Sequence, residues 1–170
     1  MSKKLLAVFL FLMVSLLALS ACSRTITAGN GNSNPNKAVK QTTIKAQIQG
    51  DMVSIPLSDL DSLINVNFKV NTATDSLAFM AYRYGGKTYV RADVCVPCGS
   101  ENFTLSGNTL ICDSCGTVFD AQTGKGIRGV KACQGYPKQP ASFSVADGKI
   151  IMQGSDLVNS FNSTLNPGKS

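Results

Sequence analysis

The sequence predicts a small, mostly β domain of about 120 residues. Three observations point to it. Ile64, Val66, Phe68 and Val70 alternate with Asn65, Asn67 and Lys69, the period of two that marks a half-buried strand. Other short apolar runs are separated by turn residues, Gly85-Gly86, Ser106-Gly107-Asn108 and Asp147-Gly148, each of which suits a hairpin. Helix is confined to a brief turn begun by Ser58 as cap and a short segment from Ser155 to Phe161.

In chain order, residues 1–21 read as a removable leader. Lys3 and Lys4 precede an apolar run from Leu5 to Leu19 that only Ser15 interrupts, and small residues follow. The run is short for a membrane span, which needs ~20 apolar residues. Leu19-Ser20-Ala21-Cys22 resembles the lipobox of bacterial lipoproteins. It implies that Cys22 becomes a lipidated N-terminus and that the chain is held on the extracytoplasmic side of a bacterial membrane, in the cell envelope. An uncleaved anchor is the alternative, with the same placement. Residues 22–43, dominated by Asn, Gly, Ser and Thr, have too little apolar surface to offset their ordering entropy and read as a flexible tether.

The folded domain is expected over 44–165. Ala46 and Ile48, then Met52 to Leu57, are short strands about Gly50-Asp51. Leu77 to Tyr84 pairs through Gly85-Gly86 with Thr88 to Ala92. Asn102 to Leu105 and Thr109 to Ile111 form a second hairpin, and Thr117 to Phe119 a strand before the turn Asp120 to Gly124. Phe143 to Val145 and Lys149 to Met152 close the domain, and residues 166–170 read as a loose tail.

The chemistry is concentrated between Cys95 and Cys115. Cys95-Val-Pro-Cys98-Gly99 and Cys112-Asp-Ser-Cys115-Gly116 are separated by a thirteen-residue interval from Cys98 to Cys112. Two Cys-x-x-Cys pairs, each followed by glycine, are the pattern of a tetrathiolate metal site. Two thiolates three positions apart can curl round one metal, and glycine tolerates the backbone angles of so tight a turn. Zinc, a single iron, a two-iron two-sulfur cluster and copper(I) all accept such ligands. In an oxidising compartment disulfides compete with them. A thiol–disulfide enzyme is a further alternative, but no βαβ context surrounds either pair. Cys133 stands apart, as a small buried residue, a fifth thiol at the site or a thiol reactive with a partner.

The chain has no histidine, which excludes a Ser-His-Asp triad, a histidine base and any His-ligated metal. Without Lys3 and Lys4, 14 basic residues face 10 acidic ones. These charges are scattered and no basic patch interleaves with aromatics, so nucleic acid is not an expected partner. Arg91, Lys125, Arg128 and Lys131 lie near the cysteines in sequence; they read as surface charges, the alternative being cations that favour the metal-bound thiolates.

The runs Ile55-Pro-Leu-Ser-Asp-Leu60, Tyr84-Gly-Gly-Lys-Thr-Tyr-Val-Arg-Ala92, Cys95-Val-Pro-Cys98, Gly107-Asn-Thr-Leu-Ile-Cys112-Asp-Ser-Cys115-Gly-Thr-Val-Phe119 and the later Cys133 resemble the FtrD-like family of membrane-associated iron–sulfur-containing proteins, over about residues 46–153. The resemblance implies an iron–sulfur cluster on Cys95, Cys98, Cys112 and Cys115, a link to iron transport and a membrane iron permease or redox partner. Cys112 to Gly124 and Ala141 to Ile150 are also similar to Rieske domains, with Cys98 and Cys115 where that site has histidines. This implies a Rieske-like β domain with an all-cysteine centre. The chain departs from the family in the Gln134-Gly135-Tyr136-Pro137 that follows Cys133, and in its short length. The expected function is electron transfer or iron handling. A non-redox domain with structural zinc, acting in partner binding or metal delivery, is the alternative.

Overall fold

Short strands joined by glycine turns follow one another through most of the computed structural model, which describes residues 37–168. The leader, Cys22 and most of the expected tether lie outside these residues. The chain runs β1 (Thr42–Thr43), β2 (Gln47–Gln49), β3 (Met52–Pro56), α1 (Leu57–Leu63), β4 (Asn65–Asn71), β5 (Ser76–Tyr84) and β6 (Lys87–Ala92). It continues through β7 (Phe103–Ser106), β8 (Thr109–Cys112), β9 (Val118–Asp120), β10 (Gly126–Arg128), α2 (Lys131–Gln134), β11 (Ser144–Ala146), β12 (Lys149–Gln153) and α3 (Gly154–Leu165). The domain is mostly β, as expected. Among the described residues no helix is long and apolar enough to cross a membrane.

The strands form three four-stranded sheets, ordered β1-β4-β5-β6, β10-β9-β8-β7 and β11-β12-β3-β2. β5 is the wall between two cores. Its residues 78–82 are all buried, yet the period of two survives. Phe79 and Ala81 join Phe68, Val90, Ile150 and Leu157 in one apolar cluster. Met80 and Tyr82 point the other way, into a cluster with Phe103, Leu110, Phe119, Cys95, Cys112 and Cys133. A strand covered on both faces reads as a continuous apolar run although its side chains alternate. The second core thereby sets the position of the cysteines.

Several elements differ from expectation. Ser58 does not cap α1. Pro56 occupies the cap position with no side-chain bond, and Leu57 N–H donates instead to Gly148 O at 2.9 Å. A partner from another turn satisfies the helix start, so no capping side chain is needed. α3 is longer than expected, because its polar residues are bonded inward. Ser160 Oγ donates to Gln139 O at 2.9 Å and Gln139 N–H donates to Thr164 Oγ1 at 3.0 Å. The end of the expected tether lies in the fold. Val39 bridges Leu105, Thr42 and Thr43 pair with β4, and Phe103 N–H donates to Gln41 Oε1 at 3.0 Å. Edge pairing uses backbone groups, so a polar composition does not forbid it.

Phe79 is fully buried and its ring meets Phe68 and Phe161 at centroid distances of 5.9 Å each. Phe79→Ala is expected to destabilise the domain by about 3–5 kcal/mol, measured as a shift of the denaturation midpoint. A loss below about 1 kcal/mol would mean that the surrounding core collapses into the space.

Candidate metal centre

The two Cys-x-x-Cys turns are near copies of each other. In the first, Cys95 N–H donates to Ser100 O at 2.8 Å and Gly99 N–H returns to Cys95 O at 2.8 Å. In the second, Cys112 N–H donates to Thr117 O and Gly116 N–H to Cys112 O, both at 2.9 Å. Gly99 and Gly116 have φ of 70° and 68°, the left-handed region that glycine enters without penalty. The geometry thus supplies the reason, inferred above from spacing, for glycine behind each pair. The first turn follows β6 and the second follows β8. Cys112 pairs in register with Phe103, and Thr104 Oγ1 donates to Asp113 Oδ1 at 2.7 Å, which ties the second turn to the hairpin of β7 and β8.

All four sulfurs lie within 4.8 Å of one another. Cys95 Sγ is 3.9 Å from Cys115 Sγ, and Cys98 Sγ is 3.6 Å from Cys112 Sγ. All five cysteines of the described chain are free thiols, so neither Cys-x-x-Cys pair is closed on itself. With metal–sulfur bonds of about 2.3 Å, the sulfurs of a tetrahedral site stand about 3.8 Å apart. The two separations of 3.9 and 3.6 Å match that edge, and the set fits a metal. The donors are all thiolates, the ligand type of both structural zinc and iron–sulfur centres.

The site is asymmetric. Cys95 and Cys112 are buried, Cys115 is half-buried and Cys98 is exposed. Burial pushes the Cys95 thiol far above its ordinary value, with hydrogen bonds to Cys98 and Cys133 adding to it. Burial also pushes Cys112 up. At Cys115 burial acts in the same direction, but hydrogen bonding to Thr117, with Cys112 and Cys98, outweighs it and brings the thiol down to about 6. Cys115 Sγ is 3.1 Å from Thr117 Oγ1, and Val130 N–H donates to the same hydroxyl at 3.2 Å.

Cys133 is buried on α2, its Sγ 3.8 Å from Cys115 Sγ. It is a fifth thiol beside the centre and lies outside the group of four. Arg91 is not the surface charge expected of it. It is 3% exposed, because its guanidinium finds acceptors inside the fold. It donates to Tyr82 Oη at 2.8 Å, Lys138 O at 2.7 Å and Gln122 O at 2.5 Å. Lys125, Arg128 and Lys131 are exposed.

Sequence reasoning missed Lys138. Its side chain is 0% exposed. Nζ donates to Val94 O at 2.6 Å and Tyr136 O at 3.0 Å and lies 4.4 Å from the Phe119 ring centroid and 5.4 Å from that of Phe103. Burial lowers its pKa, while the charges of Cys95, Cys112, Asp93 and Cys133 act to raise it. No local pattern marks it, since Tyr136-Pro137-Lys138-Gln139-Pro140 reads as an ordinary polar loop. Asp93, also buried, is pushed up to about 8, chiefly by burial.

The model of the family described as "Membrane iron-sulfur containing protein FtrD-like" matches residues 61–163. No curated protein matches the chain. Solved structures with a similar course include a chain of the "Complex of reduced oxygenase and oxidized ferredoxin in carbazole 1,9a-dioxygenase", 21% identical over 62% of this chain and 95% of that one, TM-score 0.49. A Sphingomonas yanoikuyae B1 ferredoxin is 20% identical over 51% of this chain and 83% of that one, TM-score 0.41. The ferredoxin of carbazole 1,9a-dioxygenase from Nocardioides aromaticivorans IC177 is 16% identical over 59% and 96%, TM-score 0.43.

Cys112→Ser is expected to abolish stoichiometric metal binding, because it removes one of four converging donors, whereas Cys133→Ser should retain it. Metal content after purification checks both. Loss of metal from the Cys133 variant would move that thiol into the ligand set.

Proposed function

The chain belongs to the FtrD-like family of membrane iron–sulfur-containing proteins, and from that premise we propose that it is a lipid-anchored electron-transfer or iron-handling protein of the cell envelope. In this reading Cys95, Cys98, Cys112 and Cys115 hold the iron–sulfur centre, and the protein serves a membrane iron-transport system. The observation that carries it is the convergence of four free thiols within 4.8 Å.

When bound, an iron–sulfur centre supplies one-electron chemistry. The chain's own residues divide the remaining tasks. Cys95 and Cys112, packed with Phe103 and Phe119, hold the inner side of the site away from water. A dry inner side strengthens every charge interaction there. Cys98 is exposed together with Pro97 and Gly99, so its sulfur is the ligand that a docking partner can approach most closely. Replacing the two neutral ligands of a Rieske site by thiolates adds negative charge, which favours the oxidised form and lowers the potential. Lipidation at Cys22 would keep the domain at the membrane, with the Asn- and Gly-rich segment after it giving reach.

A second reading, structural zinc in a domain that binds a partner or delivers metal, is favoured by the 3.6–3.9 Å sulfur spacings. These match the edge of a single-ion tetrahedron, about 3.8 Å.

One anaerobic preparation separates the two. A brown protein carrying iron and acid-labile sulfide is the expected result. A colourless protein with one zinc per chain would overturn the iron–sulfur reading and establish the second. For the anchor, Cys22→Ala in the full chain is expected to move the protein from the membrane to the soluble fraction on cell fractionation. A leader still attached to the membrane-bound unmutated protein, read by its mass, would assign anchoring to an uncleaved leader.

A further inference from the structure

We propose that Lys138 is the built-in counter-cation of the tetrathiolate centre, setting how tightly the metal is held and, for a redox-active metal, at what potential. The proposal rests on the four-sulfur site and not on which metal fills it.

Four thiolates carry more negative charge than a divalent ion or a two-iron two-sulfide core cancels. A loaded centre is therefore an anion, and half of its ligands are buried. Lys138 is the complementary case, a fully buried ammonium whose direct partners are all neutral. They are the carbonyls of Val94 and Tyr136 and the faces of Phe119 and Phe103. The ion pairs among the described residues are Lys69–Glu101 and Arg83–Asp61, and Lys138 is in neither. An ammonium in so apolar a setting is costly unless a charge nearby offsets it.

The connections of Lys138 lead to the thiolates. Its bond to Val94 O fixes the peptide next to Cys95. Phe103 stands opposite Cys112 across the β7–β8 pairing. Cys95, Cys112, Phe103 and Phe119 all belong to the second core. Burial drives the lysine towards its neutral form, and the charges of Cys95, Cys112, Asp93 and Cys133 oppose that drive. Asp93 is the buried carboxyl whose charge also acts on Lys138. Its Oδ1 accepts from Gln41 Nε2 at 3.2 Å and its Oδ2 has no partner, so no contact joins it to Lys138. Arg91, the other buried cation, is occupied by Tyr82 and two carbonyls.

The arrangement has opposite consequences in the two states. In the metal-free chain the ammonium has only neutral direct partners, two carbonyls and two aromatic faces. In the loaded chain the anionic centre is its counter-charge. Lys138→Met is therefore expected to leave the melting temperature of the metal-free chain unchanged or raised, and to lower that of the zinc-loaded chain. Zinc affinity, read by competition with a chelating dye, should fall about tenfold or more. Lys138→Arg, which keeps the charge, should retain most of it. In iron-loaded protein Lys138→Met should move the midpoint potential to more negative values, because losing a cation disfavours the reduced, more anionic form.

Equal destabilisation of both forms by Lys138→Met, with affinity and potential unchanged, would reduce the residue to packing and overturn the proposal. If Asp93→Asn removed the difference between the two forms, the counter-charge would be Asp93 and the proposal would likewise be overturned. Failure of the unmutated chain to bind zinc or iron would overturn the site and this proposal together, and is told apart because no variant is needed to see it.

Discussion

Mutual repulsion of four thiolates is the constraint that the domain answers. Sulfurs that must share one metal have to be gathered within 4.8 Å by a chain that gains nothing from their closeness until the metal arrives. Backbone geometry does the gathering. Each Cys-x-x-Cys turn is closed by its own pair of main-chain hydrogen bonds. Each is set at the end of a strand, β6 or β8, whose register is fixed by apolar neighbours. Arg91 then binds these parts together. From β6 it reaches Tyr82 on β5, Gln122 in the turn after β9, and the carbonyl of Lys138. Tyr82 Oη in turn donates to Ala121 O at 2.6 Å. Gly124 completes this clamp. Its φ is +75°, and a Cβ there would stand 2.2 Å from Lys138 O, so the close approach of the two segments requires glycine.

The parts of this design that were legible in the sequence share one property: their signal is local. The spacing of Cys95, Cys98, Cys112 and Cys115, the glycine behind each pair and the hairpins at Gly85-Gly86 and Asp147-Gly148 depend on residues within a few positions of one another. What escaped depends on distant partners. Lys138 is buried because Val94, more than forty positions earlier, offers its carbonyl. Arg91 looked like a surface charge because its acceptors come from three other segments. Ser58 looked like a cap because the carbonyl that replaces it belongs to Gly148. α3 runs past its sequence signal because Asn162, Ser163 and Thr164 are loop formers by propensity, and the contact of Gln139 with Thr164 holds the last turn inward.

The two buried cations show why composition alone could not assign their roles. A guanidinium presents several donors in a fixed plane and suits a junction of hydroxyl and carbonyl acceptors, as at Arg91. An ammonium is a compact point charge on a flexible stem, and at Lys138 it is seated against two aromatic faces and two carbonyls. The first arrangement uses up the cation's hydrogen-bonding capacity in holding the fold. The second leaves its charge without a direct anionic partner, against Phe103 and Phe119 of the core that also holds Cys95 and Cys112. Solvent can screen Cys98, on the open side, without help from the protein. It cannot screen the inner pair, so a fixed charge has to stand where water does not reach.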